Sequence, residues 1–309
     1  MAQKLLRNST CVLCRERPSN APEHVLKDGF IKQFFPHKDE RDENEQYSLR
    51  IGGRPELSRD GSIWTQNNFP RVMLPCCEEC NGTLNTRFEQ PAEAIILRFF
   101  SDRSTGLDSN EIHPAGLWLL KTCLLLVHPE ARQQARDYIP LPRWNLTAIP
   151  SDMYSWMVND QPPPVGLSVW ISRVRDPQPG DPPSQQIALP TVVADGRSTQ
   201  FQVNQCGIRL LGIDLVYHPG WSIKHPLEAD GLAVRIWPHS GSNTVNIVGL
   251  PAVSRQAIAW VPGPEARFAP GMYEEASLPP LTAGMDWTLQ SVPGVLGVAA
   301  VITRARQAR

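Results

Sequence analysis

The chain has almost no surplus of charge. Its 30 Lys and Arg stand against 31 Asp and Glu, a formal net charge of -1 over 309 residues. That balance excludes gripping a polyanion through the field of the whole molecule, so a nucleic-acid partner would need a local patch. Long apolar runs are missing too. The most apolar window, AGLWLLKTCLLLV, spans 13 residues and contains Lys121, short of the roughly 20 a bilayer-crossing helix needs. The opening MAQKLLRNSTCVLC has no apolar core of signal-peptide length. These absences predict a cytoplasmic chain with no membrane partner. There is no internal repeat, and the C-terminal half lacks the paired K/R-G-F/Y strand motif that reads RNA.

What is plentiful is punctuation: 30 prolines and 21 glycines predict many turns and much irregular structure. The style of the sequence changes along the chain. Residues 1–104 hold two CxxC pairs separated by a polar insertion near 37–68, with turn signals at IGGRPE and RDGS. The stretch NTRFEQPAEAIILRFF predicts a helix broken or restarted at Pro91, with Ile95, Ile96, Phe99 and Phe100 as its apolar stripe. Residues 105–138 read as a helical connector made of HPAGLWLLKTCLLLV and HPEARQQARDYI, the latter with Glu130 in its first turn. From 139 to 309, GLSVWISRV, IALPTVVAD, TQFQVNQCGIRLLGIDLVYHPG, GLAVRIW and NTVNIVGL read as strands between turns. Seven of the nine tryptophans lie there, and packing small sheets is their expected use, ahead of a cleft lined by Trp156, Trp170, Trp221 or Trp237. The fold class expected is α+β.

Seven cysteines and no export signal favour metal thiolates over disulfides. Cys11 and Cys14 in CVLCRERP form one CxxC pair, and Cys77 and Cys80 in PCCEECNGTLNTRFE form the other. Each such turn presents two sulfurs to one point, so the four fit a tetrahedral structural zinc. Cys76 would replace Cys77 only by changing the turn to Cys-x3-Cys, and is assigned as a bystander. Buried free thiols or a redox couple are the competing reading, for which neither pair has a strand-to-helix redox setting. Cys123 and Cys206 are expected to be small hydrophobes of the core.

Ten residues after Cys14 comes PEHV, and directly after Cys80 comes Asn81. A zinc that pins the two cysteine loops together would bring Glu23, His24 and Asn81 to one region. Their chemistry is complementary. A histidine neutral near pH 7 can take a proton from water, while a carboxylate and an amide oxygen suit a hard divalent ion such as magnesium or manganese. Together they could hydrolyse a phosphodiester.

CVLC, PEHV and CEECNGTLNTRFE together resemble the HNH endonucleases, the ββα-metal or His-Me-finger class, in a zinc-stapled version. The resemblance spans about residues 8–100. It implies Glu23 as the acidic metal ligand, His24 as general base and Asn81 as the last ligand on the helix, with Asn67 or Asn68 similar to the central loop-bracing Asn. It makes Arg87 a candidate phosphate contact, against a plain surface arginine. This chain departs from the family in its 52 residues between His24 and Cys77 and in lacking a Pro shortly after the histidine.

The expectation is a metal-dependent endonuclease acting on DNA, the family's usual substrate, with RNA left open. Residues 139–309 would select substrate or bind a protein partner or small-molecule effector. Control by an effector, as in antiviral defence or restriction systems, rests on analogy. The alternative is a non-catalytic zinc-stapled module that binds nucleic acid or protein, with Glu23 and His24 serving structure. Residues 1–100 carry 14 basic against 14 acidic residues, with no basic run to hold a backbone. Arg50, Arg54, Arg59 and Arg71, and the terminal Arg304, Arg306 and Arg309, are the cations that a local patch would draw on. Glu89 is expected to cap or brace the finger or to be solvated, His37 to be exposed, and His113 and His128 to lie near helix starts.

Overall fold

The computed structural model describes residues 9–34, 47–48, 50–51, 54–55, 65–66, 72–99, 106–134, 138–140, 149–174, 185–188, 191–194, 197–200, 202–208, 211–218, 221–223, 225–239, 244–253, 273–275, 285–291 and 298–304. Helices and mainly antiparallel sheets make an α+β chain. It divides into two compact units, one of residues 1–93 and 121–162, the other of 94–120 and 163–309. The division cuts through the helical connector expected at 105–138, with residues 106–120 in the second unit and 121–134 in the first. Most of the polar insertion, with Asn67, Asn68, Arg59, Arg71 and His37, lies outside the described residues. Its described backbone comprises two-residue antiparallel ladders, 47–48 with 65–66 and 50–51 with 54–55.

In the first unit, β1 (Glu23–His24) pairs antiparallel with β2 (Val72–Leu74), Glu23 opposite Leu74 and His24 opposite Met73. A short helix α1 (Asp28–Phe34) follows β1 and buries Phe30 and Ile31. After β2 the chain turns through three residues into α2 (Glu78–Leu84), a π turn (Asn85–Glu89) and α3 (Gln90–Phe99). No break occurs at Pro91. Proline lacks an N–H and its ring crowds the carbonyl four residues back; here the wider turn just before it, where Gln90 N–H reaches Asn85 O, lets the helix run on. Phe88 meets Trp156 edge to face with ring centroids 5.4 Å apart.

The helix α4 (Ser109–Leu126) opens with the Glu half of a capping box. Glu111 Oε2 accepts from the Asp108 N–H at 3.0 Å and the Glu111 N–H donates to Asp108 O at 2.9 Å. Trp118, Leu119, Leu120, Leu124 and Leu125 are fully buried, as is Lys121. Among the described residues, no helix is long and apolar enough to cross a membrane.

HPEARQQARDYI does not form the expected helix. The His128 ring Nδ1 accepts the Glu130 N–H at 3.0 Å, which closes a turn, and the chain then enters β3 (Arg132–Gln134) and β4 (Tyr138–Pro140). β3 pairs with β2, Met73 opposite Arg132, so an open sheet edge outweighs local helix propensity. His128 is buried against Tyr154, and His113 lies inside α4 with its ring 5.5 Å from that of Trp237.

The second unit is built on a five-stranded antiparallel sheet. Its strands are β5 (Leu167–Arg173), β6 (Gln185–Ala188), β9 (Gln202–Ile208), β10 (Leu211–Tyr217) and β11 (Ala233–Trp237), in the order β6-β9-β10-β5-β11. A second sheet joins β7 (Thr191–Ala194), β8 (Arg197–Gln200), β12 (Met285–Ser291) and β13 (Val298–Arg304), with one parallel pairing, β7 with β13. NTVNIVGL is not a strand. It supplies one bridge, Leu107 to Val245, then a turn in which Asn246 Oδ1 accepts the Gly249 N–H at 2.9 Å. Trp156 and Trp170 are 1% exposed and belong to the cores, so neither opens a cleft; Trp221 is described in its backbone alone. Against the large sheet, Asp214 bonds His225 at 2.8 Å and the Trp170 indole N–H donates to Glu228 at 2.8 Å.

Candidate metal centre and the groups beside it

The first cysteine pair sits in a tight turn. Arg15 N–H donates to Cys11 O, Cys11 N–H to Arg17 O, and Arg15 takes a left-handed φ of 60° to close it. The second pair straddles the start of α2, Cys77 at its N-cap and Cys80 in its first turn. Val12 N–H donates to Pro75 O at 3.0 Å, which laces the two loops edge to edge. As a result the Sγ atoms of Cys11, Cys14, Cys77 and Cys80 all lie within 4.8 Å of one another, and Cys14 and Cys77 are 3.9 Å apart. Four sulfurs about 2.3 Å from a tetrahedral zinc sit ~3.8 Å from each other. The four thiols therefore fit a metal ion of the structural-zinc kind.

Cys76 stays outside that set, as the spacing argument expected. It is fully buried, its Sγ 4.0 Å from that of Cys11. Hydrogen bonding with Cys76, helped by backbone groups of the turn and opposed by burial, holds the Cys11 thiol down to about 3. Cys76 and Cys80 are pushed up, Cys76 chiefly by its bond with Cys11 and Cys80 chiefly by burial. The opposed shifts mark these sulfurs as one interacting group. Adding a cation would release the remaining protons.

The same region draws the chain ahead of β1 onto α2. Cys76 O accepts from Ala21 N–H at 3.0 Å and from the Ser19 hydroxyl at 3.2 Å, and Asn20 Oδ1 accepts the Glu78 N–H at 2.9 Å. The Asn81 Nδ2 then donates to Ala21 O at 3.1 Å and to Pro22 O at 3.4 Å. Asn81 is thereby locked one helical step after Cys80, its amide nitrogen spent on the backbone just before Glu23. His24 is half-buried at the end of β1.

Comparisons with family models, curated proteins and solved structures find no match. The geometry therefore carries the argument alone.

Glu23 turns inward. It is 7% exposed, and its Oε1 accepts from Lys121 Nζ at 3.0 Å. The same ammonium bonds Glu89 Oε1, which reaches it from the π turn. Burial raises Glu23 above the usual carboxylate range, with Lys121 opposing and Glu89 adding to the rise. Burial also works against the Lys121 charge, but the two carboxylates outweigh it and Lys121 is raised. Lys121 was read from the sequence only as an interruption of an apolar window. Its signal is that it is the one charge in the apolar window AGLWLLKTCLLLV, where an ammonium survives only with a buried partner. Glu89 has the bracing role weighed for it.

Arg87 is engaged elsewhere. Its guanidinium donates to Trp156 O at 2.8 Å and to Gln161 O, and lies 5.6 Å from the centre of the Trp156 ring. With Arg15 donating to Ser151 O at 2.6 Å, it fastens the 151–161 segment to the first cysteine turn and the π turn. Between that segment and the first cysteine turn is a cavity of about 290 Å³, lined by Cys14, Arg15, Arg17, Glu79, Thr83 and Asp152 among others, with Arg17 paired to Glu79.

Proposed function

We propose that the first unit is a metal-dependent endonuclease of the zinc-stapled HNH kind, hydrolysing phosphodiester bonds in DNA, with His24 as general base. The observation that carries the reading is the tie between Asn81 and the backbone at Ala21 and Pro22. It joins the helix bearing the last ligand to the strand bearing Glu23 and His24. A zinc fold needs its four cysteines and nothing more; an asparagine fixed beside the acid–histidine pair is left unexplained by folding. The order strand, strand, helix around the cysteines supports the ββα-metal finger as its frame.

Glu23 and Asn81 supply hard oxygen donors that fit magnesium or manganese, in contrast to the soft thiolates of the staple. A divalent ion held there would neutralise charge on the phosphate and on the departing 3′ oxygen. His24 takes a proton from water as the water oxygen forms its bond to phosphorus and the bond from phosphorus to the 3′ oxygen breaks. The second unit would choose substrate or read a partner or effector. Arg87 has no substrate role in this scheme, because its donors hold the 151–161 segment.

One observation favours a second reading, a zinc-stapled binding module without catalysis: the inward Glu23–Lys121 pair is what a structural carboxylate would make. Plasmid and linear DNA, incubated with zinc-loaded protein and added magnesium or manganese, separate the two. The nuclease reading expects cutting by the parent and at least ~100-fold less by His24→Ala, the usual scale for a lost general base, with zinc content and melting unchanged. Equal cutting by the two proteins removes His24 from the chemistry.

A further inference from the structure

In the first unit, the fully buried Lys121 binds two carboxylates, and one of them is the acid assigned to the divalent ion. A lysine ammonium carries three donors, and here two of them end on carboxylates. Glu89 is delivered by a π turn, a form of helix that recurs at functional sites. Glu23 is held through Oε1 alone, and its Oε2 bonds no group among the described residues. The 9% of that side chain which stays exposed is the approach open to a cation.

We propose that Lys121 is a positioning residue of the catalytic centre: carried by Glu89, it fixes Glu23 through Oε1 and reserves Oε2 for the divalent ion. The proposal rests on the nuclease reading above. Glu89 is then an outer partner two bonds removed from the ion, acting on it through Lys121 and Glu23 in the way that hydrogen-bonded carboxylates orient metal ligands elsewhere. The division of labour also accounts for an acid so deeply placed. It gives up one oxygen to the protein and keeps one for the ion.

The test is Mn2+ binding to the full zinc-loaded chain, followed by the electron paramagnetic resonance signal of free Mn2+ and read beside cleavage and thermal melting. The parent and His24→Ala are expected to bind Mn2+ alike, and Glu23→Gln to lose it. Glu89→Gln keeps an acceptor for Lys121 but removes its charge, so Lys121 draws harder on Glu23 and Mn2+ binding weakens about 10- to 100-fold. Should Glu89→Gln lose its cooperative melt, Glu89→Asp, which keeps the charge and withdraws the oxygen, must show the same weakening. Unchanged Mn2+ affinity in the folded Glu89 variant overturns this proposal and leaves the nuclease intact. A parent that neither binds Mn2+ nor cuts overturns both, and the triad is then core structure.

Discussion

Replacing Cys77 and replacing its neighbour Cys76 should have opposite consequences, although the two are adjacent and both buried. Cys77 belongs to the four-sulfur group, Cys76 does not. A metal bound there cross-links chain positions 63 apart, as the Cys14–Cys77 contact shows. Treated as a covalent closure of a loop that size, the link removes on the order of 4 kcal/mol of denatured-state entropy. For a unit of about 135 residues, whose unfolding entropy is ~2.1 cal/mol/K per residue, that corresponds to roughly 15 °C in melting temperature. Bond energy to zinc adds to this, so the shift is a lower bound. Cys76→Ser exchanges one sulfur for a smaller polar atom 4.0 Å from Cys11 and should cost only about 1–2 kcal/mol. The assay is zinc content by atomic absorption with calorimetric melting of the purified proteins. One equivalent in the parent and in Cys76→Ser, with none in Cys77→Ser and a melt lowered by the stated amount, is the expected result. Zinc retained by Cys77→Ser would mean that Cys76 substitutes readily, and the spacing argument would fall.

Two further outcomes are expected. Arg87→Ala should speed amide exchange across 151–161 while zinc content stays whole, because the carbonyls of Trp156 and Gln161 lose their donor; reduced DNA affinity with unchanged exchange would return Arg87 to the substrate. Glu111 is held below its ordinary value first by the Asp108 N–H and then by Arg98, against burial. Its folded pKa is depressed, so its contribution is present above the ordinary carboxylate value near 4.5 and fades as pH falls through the folded one. Urea melts should therefore show Glu111→Gln about 1 kcal/mol less stable than the parent at pH 7, the margin of a charged acceptor over a neutral one, and the gap closing by pH 3. A gap that persists at pH 3 would refute the charge-based account.

The metal centre was legible because its information is local: two CxxC turns each fix a pair of sulfurs, and the choice of Cys77 over Cys76 follows from spacing. The Asn81 bonds to Ala21 O and Pro22 O accompany the pairing of the two cysteine turns. Local propensity misled where an edge was on offer. Residues 132–134 have a helix-forming composition, yet β2 presents unpaired backbone groups at Val72 and Met73 and the segment completes the sheet. The Lys121 triad joins positions 23, 89 and 121, and no window of sequence spans all three. Pro91 was read as a break because the compensating π turn depends on the packing of Phe88 and Glu89, which the string of letters does not display.

The interleaving of the two units bears on how such a protein can be inherited. The chain passes from one unit to the other after residues 93, 120 and 162. The finger's recognisable letters end by Glu89, but the counter-ion of its two buried acids arrives from the far side of an excursion into the other unit. A gene fragment carrying just the motif would encode two carboxylates with no cation to share. Recombination can move the cysteines and the histidine as one block; it moves the buried triad with them only if residues 94–120 travel too. The acid and the lysine have to be passed on together.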